Sequence, residues 1–178
     1  MMFVSIGIGT VVAVALIVVV SILTGGKVST VGGQPTNALV GKSVSTFTLG
    51  GLNGGTVLAP WATGHTGVLI FFASYCGPCK AEMPIVAKYL RTHNQGTVRV
   101  AGVDVTDQRS NGQQFVATSG VTFPVAFDPH AAVTSGIFQI NAIPDTVFVN
   151  DRGIVTQVYV GAIPKDQLIK GIEALRAG

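Results

Sequence analysis

The chain has 178 residues, room for one ordinary domain and an appendage. Only 11% are charged, against a usual fraction of about 25%, and 11 Lys+Arg against 8 Asp+Glu leave a net charge of +3. The cations are dispersed rather than gathered into a stripe that could track phosphates, which argues against nucleic acid as a partner.

From Phe3 to Leu23 no residue is charged and Val, Ile, Ala and Leu predominate. About 20 such residues span a bilayer core as a helix. A cleavable signal would instead show a charged start and an apolar region of about 7–15 residues, and no cysteine follows to carry a lipid. Residues 1–23 are therefore expected to be an uncleaved transmembrane anchor, with Gly25-Gly26 the alternative cleavage region. Residues 24–38 are rich in Gly, Ser and Thr and read as a flexible tether. The globular domain is expected over 39–178.

Within it, Ser45–Ala59 alternates apolar and small polar residues around Asn53-Gly54-Gly55, a hairpin signal. Val68–Ala73 is a continuous apolar run suited to a strand buried on both faces. Lys80–Arg91 places Met83, Val86, Ala87 and Leu90 at helical spacing. Val98–Val105 reads as a second buried strand, Gln113–Ser119 as a short helix, Val125–Asp128 as a strand and Ala131–Phe138 as a further helical piece. Thr146–Asn150 and Ile154–Val160 flank an Asp151-Arg152-Gly153 turn, and after Pro164 the segment Lys165–Arg176 carries Leu168, Ile169, Ile172 and Leu175 on one face. The order predicts an α/β fold, a mixed sheet flanked by helices with an N-terminal hairpin.

Both cysteines, Cys76 and Cys79, lie in FFASYCGPCKAEMP. Structural zinc needs four ligands, yet there is no second pair, and His65, His93 and His130 are scattered; only a half-site shared across a dimer would serve. A structural staple closing so short a loop gains little chain entropy. Redox chemistry accounts for spacing and placement together. A buried strand ends at Ala73, and a helix starts near Gly77 or Pro78. Cys76 then sits at a helix N-terminus, where free N–H groups and the macrodipole favour a thiolate, below the free thiol pKa of about 8.5. It is expected to attack a client disulfide, and Cys79, one turn further in, to resolve the mixed disulfide. Gly77 permits the turn, and Pro78 suits a first helical turn, where no N–H is needed.

The segment resembles the active site of the thioredoxin superfamily. The domain resembles the membrane-tethered TlpA/ResA type: Phe47-Thr48-Leu49 in the opening hairpin, Glu82 and Pro84 after the cysteines, and the layout of Ala126 to Gly153 support this. The resemblance implies a thioredoxin-like fold and a thiol–disulfide oxidoreductase that needs neither cofactor nor metal. It makes Pro144 the cis proline facing the cysteines; from the residues alone, Ile143-Pro144 before a strand is merely compatible with this. It assigns client contacts to Tyr75, Gly77, Pro78 and Ile143, the last through its backbone. Thioredoxins carry a buried aspartate six residues before the first cysteine, where this chain has Ile70. Glu82, on the same helix face as Cys79 and matched by a glutamate in the TlpA/ResA type, is the candidate substitute; the alternative is a solvated carboxylate. If it is buried, desolvation raises its pKa. Tyr75 is expected to pack over the pair, Lys80 to be solvated, Pro84 to kink its helix and Trp61 to pack a loop. Asp104, Asp128, Asp145 and His130 read as turn or strand-end residues.

A tethered redox pair makes sense where disulfides form, outside the cytoplasm. Lys27 and Lys42 follow the anchor and no cation precedes it, which by the positive-inside rule favours the opposite orientation; the resemblance places the domain extracytoplasmically. The expected activity is reduction of client proteins with cysteine pairs, cytochrome c apoproteins or copper-delivery proteins being those the resemblance suggests, with a membrane thiol reductase as electron donor. The competing readings are a DsbA-like oxidant, against which the Gly-Pro centre argues, and a non-catalytic copper-binding module, whose relatives use a wider cysteine spacing with a partnering histidine. A thiol peroxidase would need a Thr-x-x-Cys pocket that is missing here.

Overall fold

The computed structural model describes residues 37–178; the expected anchor and all but the last two residues of the tether lie outside them. In chain order the elements are β1 (Thr48–Gly50), β2 (Thr56–Leu58), a 3-10 turn (Pro60–Thr63), β3 (Gly67–Phe72), α1 (Gly77–Thr92), β4 (Arg99–Val105), α2 (Arg109–Thr118), β5 (Val125–Asp128), β6 (Asp145–Val149), β7 (Val155–Val160) and α3 (Lys165–Ala177). Among the described residues no helix is long and apolar enough to cross a membrane.

The apolar run of β3 is buried along its whole length because it is the middle strand of five, ordered β5-β4-β3-β6-β7. It pairs in parallel with β4 and antiparallel with β6; β5 extends the parallel side and β7 the antiparallel side. The two parallel connections run through helices, as parallel pairing demands. The sheet is therefore mixed, as the element order predicts. The opening hairpin also forms, with Gly50 opposite Thr56. Its loop reaches the edge of the main sheet, where Gly51 bridges Ala126 and the Leu52 N–H donates to the Val125 carbonyl at 2.8 Å.

All three helices pack on one face. Met83, Val86 and Leu90 of α1, Phe115 and Val116 of α2, and Leu168, Ile172 and Leu175 of α3 share a core with Val68, Ile70 and Phe72 of β3. The other face is covered by Phe47, Trp61 and Phe138, whose rings meet edge to face at centroid distances of 6.0–6.5 Å. Trp61 is thus loop packing. The helix expected over Ala131–Phe138 is not one. The Asp128 carboxylate captures the N–H groups of Ala132, Val133 and Thr134, and left-handed residues at Ala131 and Gln139 turn the chain at either end. Apolar spacing there reflects two buried residues on successive turns. Helix α2 starts four residues before the expected Gln113, through Ser110-Asn111-Gly112, which read as loop-formers.

Candidate active site

Strand β3 delivers the chain to the C-terminal edge of the sheet, where it turns tightly: the Cys76 N–H donates to the Ala73 carbonyl at 3.2 Å. Cys76 is the N-cap of α1, extended at φ −79° and ψ 113°, and its sulfur accepts the N–H of Cys79 at 3.2 Å. A side chain that accepts first-turn N–H groups is what helix starts select for; here the acceptor is sulfur, and a thiolate would accept more strongly. Gly77 and Pro78 lie exposed in the first turn, where proline costs no hydrogen bond. The two sulfurs are joined in a disulfide. Cys76 keeps 7% of its surface open and Cys79 only 1%, so the N-cap sulfur is the one a client can reach.

The Ile143-Pro144 peptide is cis and Pro144 is buried at the head of β6. The Ile143 carbonyl oxygen lies 3.7 Å from Cys76 Sγ, which brings the two expected site segments together. Beside them opens a cavity of about 230 Å³ whose walls include Tyr75, Thr106, Asn141, Ala142 and Ile143. Tyr75, expected to pack over the cysteines, is 60% exposed, and its hydroxyl meets Thr106 Oγ1 at 2.8 Å. Lys80 is exposed.

Ile70 is fully buried in the same core as both cysteines, so no carboxylate acts from that place. Glu82 is not a solvated helix carboxylate: it is 5% exposed and neither oxygen has a hydrogen-bond partner. Burial pushes its pKa up to about 7; the Ile163 N–H, near but outside hydrogen-bonding geometry, moderates the rise, and the Asp145 charge adds to it. Asp145, directly after the cis proline, is itself buried; burial raises its pKa, and its Oδ1 accepts the Gly161 N–H at 3.1 Å. A carboxyl that titrates near neutrality can both accept and return a proton. Sequence reading took Asp104 and Asp145 for simple strand-end residues. The signal it passed over is that Asp104 is the one charged residue of the run Val100–Val105, on the face it shares with Gly102. Among the described residues no three His, Cys, Asp or Glu side chains converge to hold a metal ion.

Sheet order, cysteine placement and cis proline put the chain among the thioredoxin-like thiol–disulfide oxidoreductases. It belongs to the AhpC/TSA family, whose model matches residues 40–158. Among curated relatives, it is 25% identical over 139 residues to thiol-disulfide oxidoreductase ResA of Halalkalibacterium halodurans, covering 78% of each chain. Among solved structures, MTB dsbF, described in mixed oxidised and reduced forms, superposes with a TM-score of 0.65 at 28% identity, over 79% of this chain and 98% of that one. StoA from Bacillus subtilis gives 0.64 at 22% identity, over 71% and 96%, a likeness of fold.

Proposed function

We propose that the protein is a membrane-tethered reductant of extracytoplasmic client disulfides. The observation that carries the reading is the asymmetry of the pair, an accessible Cys76 capping α1 against a buried Cys79 beside a buried Glu82. In the reduced protein the Cys76 thiolate attacks one sulfur of a client disulfide. The client S–S bond breaks, a Cys76–client bond forms, and the released client thiolate takes a proton from solvent. The Cys79 thiol passes its proton to the Glu82 carboxylate and attacks Cys76 Sγ, expelling the second client thiolate, which Glu82 or water protonates. Two electrons have moved to the client, and the Cys76–Cys79 disulfide remains. Pro144 and the Ile143 backbone align the client chain across Cys76, with Tyr75, Gly77 and Pro78 as the surrounding surface. A membrane thiol reductase returns the electrons. The apolar run 3–23 supports tethering, and the likeness to ResA supports thiol–disulfide exchange; clients in cytochrome c maturation or copper-site assembly are those the TlpA/ResA-type resemblance implies.

The test is Cys79→Ser in intact cells, quenched with a membrane-impermeant maleimide. Mixed disulfides between Cys76 and client proteins should accumulate, and unreacted Cys76 should be labelled from outside. Labelling only after lysis would contradict the orientation, and the absence of any adduct together with tight copper binding by the wild-type protein would favour a binding module.

A further inference from the structure

A second buried carboxyl lies three residues before the aspartate that holds the cysteine loop at Ser74. Asp104 is fully buried near the end of β4, in register with Phe72 of β3 and Phe127 of β5. Helix α2 presses on it at Gly112, where a Cβ would overlap Asp104 Oδ2, and Leu52 closes the same spot. Neither carboxyl oxygen receives a hydrogen bond. An ionised carboxylate so placed is costly, whereas a protonated one carries its own donor.

The groups that face it among the described residues are Asp107 and Arg109. Arg109 is largely committed elsewhere: its Nη1 donates to the carbonyls of Gly51 and Leu52 at 2.8 and 2.7 Å, and its guanidinium lies 4.2 Å over the Phe127 ring. Asp107 is the acceptor within reach, and it is also what holds the active-site loop. It accepts the Ser74 N–H at 2.6 Å and the Ser74 hydroxyl at 3.0 Å, two residues before Cys76. Between the two aspartates Thr106 adopts φ 49°, a left-handed conformation rare for a β-branched residue. Such a conformation persists only where its surroundings fix it. Here it swings Asp107 beneath Ser74 while Thr106 Oγ1 meets the Tyr75 hydroxyl.

We propose that Asp104 is a positioning residue for the redox reaction, a buried acid whose proton bonds to Asp107 and so fixes the clamp that presents Cys76. The part played by Cys76 rests on the function proposed above; the Asp104–Asp107–Ser74 linkage does not. Burial first, then the neighbouring Asp107, pushes the Asp104 pKa up to about 8, with Arg109 opposing. Ionisation above that pH sets two carboxylates side by side and loosens the hold on Ser74.

The test uses the full oxidised chain in detergent micelles, in which no thiol titrates. The protein is labelled with 15N-serine and 13C-aspartate, and Ser74 is assigned through Ser74→Ala. Between pH 6 and 10 the Ser74 amide and the Asp104 carboxyl carbon should titrate together with a midpoint near 8. In Asp104→Asn, which keeps an N–H donor but cannot ionise, the Ser74 amide should stay at low field and lose that inflection. In Asp107→Asn it should move to high field at every pH. A wild-type Asp104 already ionised at pH 6, a flat Ser74 amide, or an inflection that survives in Asp104→Asn would overturn the proposal. The wild-type titration decides even if a variant fails to fold.

Discussion

Glu82 shows how far a single residue is governed by its surroundings. In sequence it is a glutamate in the second turn of an exposed-looking helix; in the fold it is buried, unpartnered and titrates at about 7. Two outcomes follow. The rate at which Cys79 resolves a mixed disulfide should rise with pH through about 7, as the Glu82 carboxylate forms. Glu82→Gln should remove that inflection and slow the step by about 10²-fold near pH 7.5, a common worth of a placed base, while iodoacetamide still alkylates Cys76 at a similar rate. Stopped-flow release of a chromogenic client thiolate and alkylation kinetics separate the two steps. Stability carries the same signature. A carboxyl whose folded pKa lies above its ordinary value of 4.5 binds more protons folded than unfolded between those limits. Its favourable contribution is therefore complete below about 4.5 and lost as pH rises through about 7. The urea midpoint of the wild type relative to Glu82→Gln should fall across that window and be flat on either side.

At the scale of elements, close approach decides more than propensity. Gly171 lies in α3 where its Cα faces the Phe148 ring of β6, and a Cβ would enter that ring. Replacing an interior helical glycine with alanine gains about 1 kcal/mol of propensity, while overpacking a tight core costs about 1–3 kcal/mol. Gly171→Ala should thus lower the urea midpoint, and a raised midpoint would mean that Phe148 swings away freely. The same logic explains what was legible in the sequence. β3 and α1 could be read because a continuous apolar run and a 3.6-residue spacing are local signals, and the cysteine pair because its position between them is local too. The start of α2 could not, because Ser110-Asn111-Gly112 is loop-like on its own and becomes helical by packing Gly112 against Asp104. Ala131–Phe138 misled for the converse reason: its apolar spacing suits a helix, but the N–H groups that would open one are taken by Asp128. The proximity of Glu82 to Asp145, 63 positions away in the chain by their residue numbers, arises only in the fold, where Met83 of α1 and Phe148 of β6 share one core.

Across the whole molecule, the sheet brings two distant segments, 74–79 and 143–145, to one edge, and every proposed step of the chemistry happens there. Electrons can run either way through such a site, since attack and resolution are reversible. Direction depends on how far the fold stabilises the reduced pair relative to the disulfide. The N-cap contact to Cys76 stabilises a thiolate and so favours the reduced form, whereas a buried Cys79 beside a carboxyl that shares its proton resists ionisation and favours the disulfide. The Gly-Pro centre and a client-reducing role require the second effect to prevail. The measurement that tests this most directly is the reduction potential of the Cys76–Cys79 couple, from equilibration of the full chain in dithiothreitol buffers at pH 7. A value near the about −270 mV of thioredoxin is the predicted result; one near the about −120 mV of DsbA would contradict it and make the protein an oxidant.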